Sequence, residues 1–187
     1  GRPVDFESAS DANRAGISVV YQELSLVPNL SVAENIFAHR QPTRGFNLIN
    51  WERLHRDTRE LLQRFGSEHI DPRTPVAELS MARRQVVEIL KAMSVGPKIL
   101  ILDEPTSSLT DVEARELFAN IGKLKAQGIS IIYISHHLAE VFIAQTALLA
   151  DEVLELVLVR DLGLALDVGE PPGDVAVNVD IEFLGPL

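Results

Sequence analysis

Short apolar runs and amphipathic segments alternate along the N-terminal part of the chain. Three runs rich in β-branched residues predict strands over 16–22, 99–102 and 129–135. Between the last two, a capping-box pattern at 110–113 begins a segment whose apolar residues keep helical spacing as far as Gly128. Strands that are apolar along their whole length and that flank a helix are typical of a covered parallel sheet. The pattern therefore predicts the α/β class.

The region between the first and second predicted strands has the start and stop signals of helices. The letters SVAE, which begin at Ser31, have the pattern of a capping box. Asn50 precedes an amphipathic segment over 51–65, and Ser80 precedes another segment, which Gly96-Pro97 ends. We therefore expect three helices in this region.

Polar residues stand where each predicted strand ends. Gln22 ends the first strand, Asp103 and Glu104 follow the second, and His136 follows the third. Ligands of open α/β sheets bind beyond the carboxyl ends of the strands. If the three strands are parallel neighbours, these residues meet in one crevice, where a cation and water solvate carboxylates that are costly to bury. We therefore expect both carboxylates at a solvated rim.

The acidic pair has the chemistry of a phosphate-cleaving site. Mg²⁺ is a hard ion that binds through one or two carboxylates, water and phosphate oxygens, and Asp103 suits it. Glu104, one residue further on, can polarise an attacking water as a general base. On these residues alone, simpler interpretations remain open. The pair can be a solvated turn, Ser80 can be an ordinary cap, and a histidine at the position of His136 is more often structural.

Composition restricts the classes of function. The chain has no cysteine, which excludes disulfides and thiolate metal sites. No apolar run approaches the ~18 residues that a membrane span needs. The net charge of −10 disfavours a nucleic acid as the main partner. The charge is concentrated in residues 143–187, which contain nine acids and one base, so we expect a divergent acidic tail after residue 142.

Four motifs in a fixed order carry a family resemblance. They are VVYQE around Gln22, LSMARRQ around Ser80, ILILDEPTSSLTD around Asp103 and YISHHLAEVF around His136. Together they resemble the Q-loop, the signature motif, the Walker B motif with its D-loop and the switch histidine of ATP-binding cassette (ABC) ATPases. The segments YQELSLVPNLSVAENIF and RRQVVEILKAMS are similar to those in the N-terminal cassette of bacterial sugar-importer ATPases.

The resemblance implies a fold and its division. It implies a P-loop NTPase-like α/β core, with a parallel sheet flanked by helices, over residues 1–142. A helical subdomain would be inserted over about residues 30–95, and the tail 143–187 would be poorly ordered and outside the family pattern. The sequence contains no G-x-x-x-x-G-K-[ST] phosphate loop. Since the family has this loop upstream, we expect a domain that is incomplete at its N-terminus.

The resemblance also implies the roles of the strand-end residues. Asp103 would hold Mg²⁺ through water, Glu104 would be the general base, and His136 would contact the γ-phosphate of ATP. Gln22 would contact both Mg²⁺ and the attacking water, and would sense a membrane subunit. The implied catalytic residues are therefore Glu104, His136 and Gln22, with Asp103 and Gln22 at the metal.

The LSMAR segment would bind a nucleotide in a different way. Ser80, with the backbone of Met81 and Ala82, would reach the γ-phosphate of ATP held by an opposing cassette. Met81 and Ala82 stand where the family has two glycines, and Arg83 stands where glutamine is common. These departures weaken the expectation that ATP is hydrolysed quickly at the half-site, which is the one nucleotide site that this segment would help to form.

The function that the resemblance implies is that of the ATPase subunit of a bacterial carbohydrate importer, with ATP and Mg²⁺. Its partners would be transmembrane permease subunits, a second cassette in the same chain or in a dimer, and indirectly a periplasmic sugar-binding protein. It would lie at the cytoplasmic face of the inner membrane. A non-catalytic interaction module of the same fold remains an alternative, which ATP binding would distinguish. An ABC ATPase of DNA repair or chromosome organisation is disfavoured. Such proteins have long coiled coils between these two motifs, and the short stretch of sequence from Gln22 to Ser80 leaves no room for them.

Overall fold

The computed structural model describes residue 6, residues 8–46 and residues 48–135. Its elements in chain order are α1 (Ala9–Arg14), β1 (Ile17–Val20), α2 (Val32–Ile36), β2 (Thr43–Arg44), β3 (Leu48–Ile49), α3 (Trp51–Phe65), a 3₁₀ turn (Val76–Glu78), α4 (Met81–Met93), β4 (Ile99–Asp103), α5 (Asp111–Ala126) and β5 (Ser130–Ile134). All the predicted strands and helices are therefore present, and β1 and β5 are shorter than the apolar runs that predicted them.

The main sheet has three parallel strands in the order β1-β4-β5, so the predicted parallel arrangement is confirmed. Val20 lies opposite Leu102, which in turn lies opposite Tyr133. These three side chains are buried, whereas alternate residues such as Ile101 and Ile132 keep part of their surface exposed. We expected both faces of the sheet to be covered. Among the described residues, only the face that carries Val20, Leu102 and Tyr133 is fully buried.

Polar side chains begin the helices where the sequence predicts them. Capping boxes at Ser31 and Thr110 begin α2 and α5, with hydrogen bonds in both directions between the cap and the third helical residue. Asn50 and Ser80 accept backbone N–H groups at the starts of α3 and α4. α3 ends at Gly66, whose φ of 79° is in the left-handed region that glycine adopts without strain.

The helices and the sheet share one hydrophobic core. α4 packs against β1 and α2, and α3 packs against α5. The largest fully buried side chains of this core come from strands and helices alike, and they include Tyr133, Phe65, Phe118, Ile36, Leu62 and Ile89. Because they share this core, the positions of the helices depend on the positions of the strands on which they pack.

Two small features were not predicted from the sequence. α1 has six residues, and Ser8 caps its N-terminus. β2 and β3 form a two-residue antiparallel hairpin, and Phe46 in its turn is fully exposed with a φ of 63°. Both features are too short for a hydrophobic period to be recognised.

The predicted disorder of the tail concerns residues 143–187, which lie outside the described part of the chain. Within that part, no helix has both the length and the apolar character needed to cross a membrane.

Candidate functional site

The carboxyl ends of the three strands lie at one edge of the sheet. β4 ends at Asp103, which pairs with Ile134 of β5, and Gln22 follows the end of β1 by two residues. The predicted convergence is therefore present in the backbone at Gln22, Asp103 and Glu104. His136, the fourth predicted member of this group, lies outside the described residues.

Glu104 is buried in a strained backbone conformation. It is 7% exposed, and its φ of 43° is in the left-handed region, which costs a non-glycine residue about 1–2 kcal/mol. Its N–H donates to the Ile134 carbonyl at 2.9 Å, and its carbonyl accepts the Ser107 N–H at 3.3 Å. These two bonds turn the chain inward directly after β4. The expectation of two solvated carboxylates is therefore right for Asp103, which is partly exposed, and wrong for Glu104.

The chain from Glu104 to Thr110, which we call the β4 loop, is held by nearby groups. The hydroxyls of Thr106 and Tyr133 are 2.7 Å apart in a buried hydrogen bond between the loop and β5. At the other end, the Thr110 N–H donates to the Glu113 carboxylate at 2.9 Å. The hydrogen bonds from the Thr110 backbone and hydroxyl lower the pKa of Glu113 from its usual value. Glu104 therefore stands on a loop that is fixed at both ends, and Asp103 ends the strand before it.

Residues 21–30, which we call the β1 loop, are held by side chains from two helices. The Glu88 carboxylate of α4 accepts the Ser25 N–H at 3.2 Å and the Ser25 hydroxyl at 2.7 Å. The buried Asn35 of α2 accepts the Val27 N–H at 2.7 Å and donates to the carbonyls of Val27 and Leu30 at 3.1 and 3.2 Å. The loop that follows Gln22 therefore has a fixed shape without regular secondary structure.

Sequence reasoning missed these supporting residues. Tyr133 lies in a β-branched run, where it is indistinguishable from another apolar strand residue. Asn35 lies in a correctly predicted helix, but nothing in the letters shows that its side chain points inward. Ser25 and Glu88 are 63 residues apart, and no local rule connects them.

Ser80 lies at the N-terminus of α4, on the surface of the molecule. Its hydroxyl accepts the Arg83 N–H at 3.5 Å, and it is exposed together with Met81, while Ala82 is half-buried. The first turn of α4 has no acidic residue that would offset the positive end of the helix dipole. Arg84 donates to the carbonyls of Val76 and Ala77, which fixes the turn before the helix. The start of α4 thus suits an anionic group.

The acidic pair was also compared with what Mg²⁺ requires. The described residues contain no group of three or more histidine, cysteine or acidic side chains that could enclose a metal. Mg²⁺ needs no such group, because it keeps several water ligands and takes one or two carboxylates together with phosphate oxygens. The partly exposed carboxylate of Asp103 and the exposed amide of Gln22, at the edge of the sheet, fit that description.

Solved structures with a similar fold are ATP-binding cassettes. The chain superposes on an ATP-binding cassette of an ABC transporter in its ADP conformation with a TM-score of 0.61, 23% identity and coverage of 74% of this chain and 57% of the other. A nucleotide-free cassette gives a TM-score of 0.60 at 23% identity, with coverage of 73% and 57%. At this identity the likeness concerns the fold alone, and it confirms the predicted cassette architecture.

Sequence relatives are sugar-import proteins. A ribose import ATP-binding protein from Rubrobacter xylanophilus is 50% identical over 141 residues, which are 75% of this chain and 28% of the relative. A galactose/methyl galactoside import ATP-binding protein from Photobacterium profundum is 42% identical over an alignment of 190 positions that covers 92% of this chain and 37% of the relative. The second match therefore extends past residue 142. The chain spans roughly a third of the length of these relatives.

The family profile described as ABC transporter matches residues 1–107, which is more than half of the chain. This match and the relatives confirm the resemblance that the four motifs predicted. The chain belongs to the ABC transporter family.

Proposed function

We propose that the protein to which this chain belongs is the ATP-hydrolysing subunit of a bacterial carbohydrate importer. The observation that carries the proposal is the acidic pair at the carboxyl edge of the parallel sheet, with Glu104 held in a strained, buried turn. Strain of this kind is concentrated at functional sites, where the surrounding structure maintains it. The names of the relatives, which import ribose and galactosides, support carbohydrate as the class of cargo.

Glu104 acts as the general base and takes a proton from the attacking water onto a carboxylate oxygen. Asp103 would hold Mg²⁺ through water, and the ion would neutralise charge on the phosphates. Gln22 would orient the attacking water and contact the ion, and His136 would contact the γ-phosphate. Because phosphoryl transfer requires little covalent chemistry from the protein, these residues act by positioning and by stabilising charge.

A second cassette completes the site, in the same chain or in a dimer. The exposed start of α4 serves the ATP of that opposing cassette through the Ser80 hydroxyl and the backbone N–H groups of Met81 and Ala82. In this arrangement residues 1–142 are part of a cassette domain with a helical subdomain over about residues 30–95.

The remaining partners are those of an importer. Transmembrane permease subunits bind the cassette at the cytoplasmic face of the inner membrane, and a periplasmic sugar-binding protein acts on it indirectly through them. No nucleic acid is involved, in keeping with the net charge of −10.

The test is Glu104→Gln in the full-length protein that contains this chain. The substitution keeps the shape of the side chain and removes the base, so ATP should still bind while turnover falls by ~10² or more. Glu116→Gln is the matched control, because Glu116 is exposed on α5 and lies outside the site. His136→Ala should likewise slow hydrolysis more than it weakens binding.

Two outcomes would contradict the proposal. Unchanged steady-state hydrolysis in Glu104→Gln would mean that the base lies elsewhere or that this half-site is not the active one. No ATP binding by the full-length parent protein would favour a non-catalytic interaction module of the same fold.

A further inference from the structure

A polar cluster of Ser25, Glu88 and Lys91 joins the β1 loop to α4, and the proposed reaction does not use it. Besides the two bonds from Ser25 to Glu88, the Lys91 ammonium donates to the Ser25 hydroxyl at 2.6 Å, to the Ser25 carbonyl at 3.1 Å and to Glu88 at 3.4 Å. The N–H, the hydroxyl and the carbonyl of Ser25 are thus all engaged by charged groups, which form the stronger hydrogen bonds. Water alone would satisfy an exposed loop serine, so the cluster does more than solvate it.

The same helix carries Ser80 at one end and the cluster further along. α4 has 13 residues, and its inner side is buried in the core. Eight residues separate Ser80 from Glu88, which corresponds to about 12 Å along an α-helix. Because a helix held in a close-packed core moves as one body, a displacement of its N-terminus also displaces Ser25.

The chain just before the cluster is held much less firmly. The side chains of Gln22 and Glu23 are exposed, and neither makes a hydrogen bond or an ion pair with any described residue. Val20, the last residue of β1, is 1% exposed and fixed in the sheet. Three extended residues span about 10 Å at most, so the position of Ser25 limits where Gln22 can lie.

We propose that Glu88 and Lys91 are positioning residues that act through Ser25 to set where Gln22 lies relative to the sheet and to Ser80. Neither residue contacts substrate, and both act on Ser25 in the middle of the β1 loop. The roles of Gln22 and Ser80 rest on the proposed function, whereas the link between them rests on the contacts of the cluster. A ligand or partner that moves α4 therefore moves Gln22 at the same time.

The experiment measures distances by double electron–electron resonance on the full chain of 187 residues. Spin labels are attached at Glu23→Cys in the β1 loop and at Glu78→Cys in the turn before α4, both at exposed positions. Because the chain has no cysteine of its own, labels attach only at these two sites. The doubly labelled parent should give one narrow distance distribution. Glu88→Ala and Lys91→Met should each widen it at least twofold, since each removes two of the four hydrogen bonds that hold Ser25 to α4.

The rescue variant and the control separate positioning from general destabilisation. Glu88→Gln keeps an oxygen that accepts the Ser25 N–H, so it should stay close to the parent distribution. Glu116→Ala, on the exposed side of α5, should leave the distribution unchanged. Lys91→Met keeps most of the aliphatic stem and therefore carries the test if Glu88→Ala does not fold.

A distribution that stays narrow in both Glu88→Ala and Lys91→Met would overturn the proposal. So would equal widening by the Glu116→Ala control. The measurement uses no nucleotide, so its result and that of the Glu104→Gln hydrolysis assay can fail independently of one another.

Discussion

The β1 loop and the β4 loop leave the same edge of the sheet, but they are attached to different layers of the molecule. Asn35 and Glu88 fix the β1 loop to the helices. Tyr133 fixes the β4 loop to the sheet, and the capping box at Thr110 fixes its far end. A site that needs both loops therefore depends on how the helical layer lies relative to the sheet.

The largest expected effect is a loss of nucleotide affinity: the two loops alone should not bind ATP tightly. The chain has no G-x-x-x-x-G-K-[ST] loop to supply backbone N–H groups and a lysine. Each hydrogen bond to a charged group is worth about 1.5–3 kcal/mol, so the loss of three costs ~5 kcal/mol, roughly a thousandfold in Kd. Asp103 and Glu104 add repulsion towards a triphosphate. Isothermal titration of the 187-residue chain with Mg-ATP should therefore detect no low-micromolar binding.

Low-micromolar binding in that titration would show that the two loops form a phosphate site by themselves. The two loops would then act as one binding surface, and their attachment to different layers would matter less.

The next effect tests the attachment of the β1 loop. Asn35→Ala removes one buried amide oxygen that accepts and one NH2 group that donates, and it should lower the free energy of unfolding by about 2–3 kcal/mol. Amide exchange should speed up over residues 25–31 and stay unchanged over 104–110. Asn35→Asp separates the two functions of the side chain: it keeps the oxygen that accepts the Val27 N–H but puts a carboxylate oxygen against the Val27 and Leu30 carbonyls, so it should loosen the same loop. Equal acceleration in both loops would mean that they are not separately attached.

A smaller effect tests the β4 loop. Tyr133→Phe removes the hydroxyl that bonds to Thr106, and the free energy of unfolding should fall by about 1 kcal/mol. Exchange should rise over 104–110 while residues 25–31 keep their protection. Tyr21→Phe, at a position that is 55% exposed, should change neither loop. If Tyr133→Phe loosened the β1 loop instead, the assignment of each loop to its own layer would be wrong.

The smallest effect is a dependence on pH at the end of the β4 loop. The pKa of Glu113 is lower in the folded chain than its ordinary value of 4.5, chiefly because the Thr110 N–H bonds to its carboxylate. The unfolded state therefore binds the proton more tightly, and the stabilisation is complete above pH ~4.5 and disappears as the pH falls through the folded pKa. The difference in unfolding free energy between the parent and Glu113→Gln should thus shrink between pH 6 and pH 3. A difference that is constant over this range would exclude the carboxylate as its source.

The two loops also differ in how far sequence could predict them. The capping box and the acidic pair depend on residues within four positions of each other, so local rules found them. The contact between Ser25 and Glu88 depends on how α4 packs against β1, which no short pattern contains. The buried position of Glu104 was predicted wrongly for a similar reason. Its backbone turn depends on the Ile134 carbonyl of a different strand.

Helices were predicted better than the surroundings of the site. Asn50, Ser80 and Gly66 each act on the turn of helix next to them. The bounds of α3 and the start of α4 agree with those predicted, and α4 ends at Met93, shortly before the predicted stop at Gly96. The inward direction of Asn35 depends on the path of the β1 loop over α2, which only the folded chain defines.

The order β1-β4-β5 also determines when each strand can find its partner during synthesis. Ile99 of β4 pairs with Ser130 of β5, and a single helix separates the two strands, so this unit can close soon after it leaves the ribosome. Ile17 of β1 pairs with Ile99, roughly 80 residues later in the chain. Closing so long a loop costs more chain entropy and slows folding. The edge of β1 that pairs with β4 therefore stays unpaired while the helical layer is synthesised. During that interval β1 is the strand of this sheet most exposed to incorrect pairing with another strand.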